Sequence, residues 1–264
     1  MNTPFDTLRH CRAERDGGVL TVTLNRPEVL NAFNQAAHWE LNAVWDAYAA
    51  DDTLQVAIIT GGDGRAFCVG SDLKDLAANG PHTYPPGGFA GITTRFDLWK
   101  PVIAAVNGLC FGGGVEILAA CDLAIASDDA RFALSEVKVG LAALGGGALQ
   151  RLAREMTMKD AMWLALTGQP IDAEEAKRIG LVNRVVPRGE LAGAAQALAR
   201  DLLECAPLAV QASKQVMLQS VGEPTLEAAM SRTYTAAERM LASEDAKEGP
   251  IAFAAKRKPV WKGR

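Results

Sequence analysis

Between Val102 and Ala126 lie two short apolar runs, Val102-Ile103-Ala104-Ala105-Val106 and Leu123-Ala124-Ile125-Ala126. The segment between them carries Gly112-Gly113-Gly114. Runs that short and that uniformly apolar read as buried strands. Gly113 to Ala120 reads as a short buried helix. A strand, a helix and a strand in close succession commit the region to an α/β core.

The same alternation extends along residues 1–190. Leu20-Thr21-Val22-Thr23-Leu24 alternates at period two and ends at Asn25-Arg26-Pro27, as a strand does. From Asn34 to Tyr48 the apolar set Ala37, Leu41, Val44, Trp45 and Tyr48 recurs at helical spacing, and core packing is expected of Trp39, Trp45 and Trp163. Leu54 to Thr60 is a further β-rich run, closed by Gly61-Gly62-Asp63-Gly64. Segment 75–98, with Pro81, Pro85-Pro86 and Gly87-Gly88, reads as a long irregular loop.

From 191 to 264 the chain reads as a helical region. Asp172 caps a helix over 173–179, Pro207 opens one over 207–219, and Pro224 opens one running to about 241. The tail from Glu248 is polar and basic. No repeat of fixed period is visible.

A chain of 264 residues, 49% hydrophobic and 22% charged, has enough apolar sequence for a sizeable core. Its net charge of −4 argues against nucleic acid as the main ligand. Met1 to Asp6 has no basic segment leading into an apolar one, so no signal peptide is expected. Asn107 and Asp122 break the apolar runs too early for a membrane span. Five cysteines without a CxxC pair read as reduced thiols, and a cytoplasmic protein is expected.

The chemistry lies in two glutamates set in apolar surroundings, Glu116 behind the triple glycine and Glu136 in Phe132-Ala133-Leu134-Ser135-Glu136. The plain alternatives are a distant arginine satisfying Glu116 and a surface ion pair between Glu136 and Lys138. Two further segments offer backbone donors. Gly70 lets the chain approach a ligand ahead of the Ser71 N–H, and Gly112 to Gly114 stand where a helix begins. One N–H from each can bracket a carbonyl oxygen as it becomes an oxyanion. His10, His38 and His82 lack metal-ligand spacing, and Ser71 lacks the frame of a nucleophile elbow. Spacing also excludes a GxGxxG dinucleotide site.

These residues, with Asn25-Arg26-Pro27, Leu30-Asn31-Ala32, Ala66-Phe67-Cys68, Gly70-Ser71-Asp72, Lys100 to Gly108, Cys121-Asp122-Leu123, Thr167-Gly168 and Gly180 to Asn183, resemble the crotonase superfamily, or enoyl-CoA hydratase/isomerase family, over nearly the whole chain. Within it, the loop Gly87 to Thr93 and the tail Ser243 to Arg264 look most like carnitinyl-CoA dehydratases. One loop departs from the pattern: Gly140 to Gly147 has Ala143 where the family has proline, and it is one residue longer before Arg151-Leu152. The wider loop from Val137 to Gln150 carries no acid, which disfavours halide displacement.

The resemblance implies a spiral of ββα units over 1–190 and a helical carboxyl-terminal trimerisation region over 191–264. It implies a homo-oligomer, a trimer or a dimer of trimers. It places the oxyanion-hole N–H groups on Ser71 and Gly113 and the catalytic carboxyls on Glu116 and Glu136. Contacts to CoA are expected from Arg65, Val69, Ser71, Asp72, Leu73, Lys74 and Gly113. The implied reaction is reversible syn hydration of a 2-enoyl-CoA to a 3-hydroxyacyl-CoA. No metal or redox cofactor is implied, since CoA arrives with the substrate. The rivals are carnitinyl-CoA dehydration, Δ3,Δ2-enoyl-CoA isomerisation on one carboxylate, and non-catalytic binding of CoA or RNA on the same scaffold. The paired glutamates and acidic balance speak against the last.

Overall fold

The structure is a computed structural model that describes Phe5 and residues 7–264. Met1 to Pro4 and Asp6, on which the signal-peptide reading rests, lie outside the described residues.

Three successive stretches of chain are built alike. Each contributes a strand to a large sheet and then a short strand to a small one: β3 (Val56–Thr60) and β4 (Ala66–Cys68), β5 (Val102–Val106) and β6 (Leu109–Phe111), β7 (Leu123–Ser127) and β8 (Arg131–Ala133). After the first two pairs come helices α2 (Leu73–Asn79) and α3 (Gly113–Ala120). This is the expected α/β spiral of ββα units. The repeat is spatial, because insertions of unequal length separate the units in sequence.

Antiparallel β1 (Cys11–Asp16) and β2 (Val19–Leu24) complete one edge of the large sheet, and β10 (Arg184–Val186) completes the other. Its strand order is β1-β2-β3-β5-β7-β10, parallel from β2 onward. In the small sheet β4, β6 and β8 run parallel, and β9 (Ile171–Asp172) closes it antiparallel.

Side-chain alternation divides the large sheet between two cores. Leu20, Val22, Ala57, Ile59, Ala104 and Ala126 face the main core with Leu41, Trp45 and Tyr48 of α1 (Gln35–Ala50). Val19, Val56, Ile58, Ile103 and Ile125 face the other way. They are covered by Leu191, Ala195 and Ala199 of α7 (Leu191–Leu203). The helical part of the chain therefore begins by covering the sheet.

Polar residues hold these layers in register. Asn107 accepts from the Gly61 N–H at 2.9 Å and donates to the Gly64 carbonyl at 2.9 Å. Asn183 accepts from the Ala124 N–H at 2.7 Å. Asp122 accepts from the Val102 N–H at 2.8 Å and pairs with Lys214 at 2.7 Å, fastening α8 (Pro207–Ser220) to the sheet.

Several expectations need correction. Segment 75–98 is not wholly irregular: α2 occupies its start, and Phe89, Ala90 and Ile92 are core residues. Trp39 and Trp163 are exposed, because the buried stripe of α1 passes through Trp45 and Tyr48 and that of α5 (Met158–Thr167) through Ala161 and Leu164. The helix from Pro224 to 241 is two helices, α9 (Leu226–Ser231), capped by Thr225, and α10 (Thr235–Leu241). Residues 245–254, partly assigned to a polar tail, form α11 (Asp245–Ala254) in spite of Pro250.

Candidate active site

Strands β4, β6 and β8 are parallel neighbours, so their carboxyl ends emerge at one edge of the small sheet. The first leads into Val69-Gly70-Ser71, the second into Gly112-Gly113 and the third into Ser135-Glu136. Topology alone thus brings together two backbone-donor segments and one carboxyl. Glu116 joins them from the first turn of α3.

Phe33 forms a parallel bridge with Ser71: its N–H donates to the Gly70 carbonyl, and its carbonyl accepts from the Asp72 N–H, both at 2.8 Å. In a parallel bridge the residue between those two groups turns its own N–H away. Asn31 donates to the carbonyls of Ala66 and Phe67 at 3.0 and 3.1 Å, fixing β4 behind this turn.

Gly113 is the first residue of α3, where a helix has no internal acceptor for its N–H. A Cβ on Gly70 would lie 2.9 Å from the Gly113 nitrogen, so the two donor turns lie directly against each other. Gly112 has φ +53° and ψ −120°, a conformation open in practice only to glycine. Its amide donates to the Ala133 carbonyl at 2.8 Å, tying the turn to β8.

Glu116 is 3% exposed. Its partner is the Gly146 N–H, which donates to Oε1 at 2.6 Å. Among the described residues no arginine pairs with it. Arg151 instead donates to the Gly146 carbonyl at 3.1 Å and the Thr93 carbonyl at 2.8 Å, clamping the loop that holds Glu116. Burial raises the Glu116 pKa above the ordinary glutamate value, while the N–H groups of Gly146, Ala148 and Gly147 and the charge of Arg151 work against that rise.

Glu136 makes no ion pair with Lys138 among the described residues, and its Oε2 is buried without a hydrogen-bond partner. Burial raises its pKa too; its own backbone N–H works against that rise, and the negative charge of Glu116 adds to it. The two acids are thus unequal. Glu116 has three loop N–H groups and the charge of Arg151 to favour its ionised form, whereas Glu136 has its own N–H and faces an acid.

Both acids line a cleft of about 1060 Å³ with Val69, Ser71, Asp72, Leu73, Lys74 and Gly113. Asp72 also caps α2 and pairs with Arg26 at 3.1 Å. Arg65 is exposed, lies outside the residues lining the cleft, and gives its carbonyl to the Leu109 N–H. Tyr84, His82 and Phe89 line the cleft from the segment 75–98, and Gly145 from the 140–147 loop, though none reads individually as a site residue in the sequence. Their approach depends on loop closure across many residues, which no local spacing signals. His38 and His82, distant in sequence, meet with ring centroids 5.4 Å apart. Among the described residues no three His, Cys, Asp or Glu side chains gather as a metal site, and no helix is long and apolar enough to cross a membrane.

The enoyl-CoA hydratase/isomerase family model matches residues 14–264. The chain belongs to the enoyl-CoA hydratase/isomerase family. Membership makes it an enzyme with an acyl-CoA thioester as its class of substrate. It is 44% identical to the carnitinyl-CoA dehydratase of Escherichia coli K12 over 95% of this chain and 97% of that protein. The crystal structure of an enoyl-CoA hydratase from Mycobacterium tuberculosis H37Rv superposes with a TM-score of 0.90 at 40% identity, covering 97% of this chain and 99% of that one. An enoyl-CoA hydratase from Mycobacterium marinum matches with the same TM-score, identity and coverage.

Proposed function

We propose that this family member catalyses the reversible syn addition of water to a 2-enoyl-CoA, giving a 3-hydroxyacyl-CoA. The observation that carries the reading is the unequal pair of carboxyls beside two free backbone donors. The thioester oxygen accepts from the Ser71 and Gly113 N–H groups, where each donor is worth about 3 kcal/mol as charge develops. Glu116, whose ionised form is favoured by the N–H groups of Gly146, Gly147 and Ala148, takes a proton from water. Glu136, whose pKa is raised by burial and by its neighbour's charge, delivers a proton to Cα. The nucleotide part of CoA lies along Ser71 to Lys74, with Arg65 available to a phosphate at the rim. The chemistry requires no metal or redox group. The working form is a trimer or a dimer of trimers.

A second reading, interconversion of carnitinyl- and crotonobetainyl-CoA, is favoured by the 44% identity to a carnitinyl-CoA dehydratase over nearly the whole chain. It uses the same two carboxyls on a different acyl group. A spectrophotometric screen of the purified protein over short, long, branched, aromatic and betainyl enoyl-CoAs tests both. Loss of the enoyl absorbance on short or long chains supports general hydration, and turnover confined to the betainyl thioester supports the second reading. Turnover of none removes both.

A further inference from the structure

Tyr84 lines the same cleft as Glu116, on the stretch between α2 and the buried turn at Phe89. A Cβ placed on Gly145 would lie 3.1 Å from its phenolic oxygen and 3.5 Å from Glu116 Oε2. The glycine therefore leaves open a space that the phenol and the carboxylate both border. Glu116 Oε1 is taken by Gly146, so Oε2 is the oxygen free to act there.

The ring is held from behind. His38 packs edge-on to Tyr84 with centroids 5.0 Å apart at 84°, and Phe89 lies 6.0 Å away. His38 is fixed by the Ala90 N–H, which donates to its Nδ1 at 3.0 Å. Phe89 fills the space beside Gly113, where a Cβ would come within 2.3 Å of its Cζ. The position of the phenol is thus tied to the same wall as the oxyanion turn. Burial, and then the Glu116 charge, raises the Tyr84 pKa, so the hydroxyl keeps its proton at neutral pH.

We propose that Tyr84 is a further catalytic residue, donating its hydroxyl hydrogen to the oxygen that joins or leaves the substrate's β-carbon while Glu116 holds the same oxygen from the other side. The inference rests on the hydration reading. In the forward direction the water oxygen bonds to Cβ and its proton passes to Glu116. The π pair moves toward the thioester oxygen, and Cα then takes the proton of Glu136. Tyr84 keeps its own proton throughout, orienting the lone pair of the water. In the reverse direction it steadies the departing oxygen until Glu116 returns the proton. A hydrogen bond shared in this way orients a water at little cost.

The test is Tyr84→Phe, which keeps the ring and its packing. With crotonyl-CoA as probe, kcat for hydration is expected to fall about tenfold to a hundredfold. Affinity for butanoyl-CoA, which has neither a double bond nor a β-oxygen, should stay within about twofold by calorimetry, because the lost contact is made only to the reacting oxygen. A kcat within about twofold of wild type overturns the proposal. So does an equal loss of turnover and butanoyl-CoA affinity, which would mark a pocket-shaping ring. If the wild type binds enoyl-CoA thioesters but hydrates none, the hydration reading itself falls and takes the role of Tyr84 with it.

Discussion

Glu116 and Gly146 occupy adjoining space so closely that only a glycine fits: a Cβ on Gly146 would lie 2.6 Å from Glu116 Cβ and 3.0 Å from its Oε2. The same residue supplies the N–H that binds Oε1. Gly146→Ala should therefore displace the carboxylate or the loop. Overpacking of this kind costs about 1–3 kcal/mol, a fall in Tm of about 2–4 °C for each. The expected kinetic result is a kcat lowered at least about tenfold with CoA affinity unchanged, since misplacing a reacting group is costly. Steady-state kinetics and calorimetry with CoA check it, and an unaltered kcat would detach Gly146 from the chemistry.

Glu116→Gln and Glu136→Gln should each lower kcat on an enoyl-CoA by about 10²–10⁴-fold, the range for losing a positioned acid or base. Neither acid anchors the core, so both variants should remain folded and bind CoA. Near-wild-type turnover in either would remove the two-carboxylate mechanism. If one variant loses hydration yet still shifts double bonds, the single-acid isomerase reading is the better one.

The pH profile follows from the two raised pKa values. Hydration needs Glu116 ionised and Glu136 protonated, so kcat/KM should climb through the first titration and fall through the second. Both limbs should lie above 4.5, the ordinary glutamate value. A profile with a limb below that value contradicts the assignment.

Stability should carry the opposite imprint at Glu136. A carboxyl with a raised folded-state pKa supports the fold below its ordinary pKa, and that support is lost as pH rises through the raised value. Glu136→Gln cannot ionise. It should melt above wild type at about pH 8, and the advantage should vanish near pH 4. Parallel melting curves at both pH values would show that the buried Oε2 carries no such penalty.

Assembly can be tested independently. Met217, Leu218, Val221, Leu226, Met230, Leu241 and Phe253 leave apolar side chains exposed across α8 to α11. Surfaces of this kind mark contact sites. Sedimentation is expected to show a trimer or hexamer, and a stable, active monomer at micromolar concentration contradicts that.

Much of this was readable from the sequence where local pattern governs structure. The uniformly apolar runs at 102–106 and 123–126 are strands, and the cap at Asp172 sits where its side chain accepts the expected amide hydrogen. Three-residue strands such as Ala66–Cys68 and Arg131–Ala133 carry too little pattern to be seen, yet their shared edge builds the site. Glu116 could be singled out because it is an acid among apolar neighbours. Its partner could not, since Gly146 reaches it only through the fold. Pro224 misled for a physical reason: a proline starts helices well, but Thr225 caps this one and Arg232 ends it within two turns.

The buried turn at Phe89 has a consequence for anyone wishing to redirect this enzyme. Ala90 adopts φ +51°, its N–H holds His38, and its neighbour Phe89 backs the oxyanion turn. From Gly87 onward the stretch packs behind the proposed reaction centre, whereas between Pro81 and Pro86 it is His82 and Tyr84 that pack against His38. A combinatorial library confined to Pro81–Pro86, with His82 and Tyr84 retained, would sample new acyl preferences on an intact reaction centre. The same diversity introduced a few positions later would spend most of its members on collapsed chemistry.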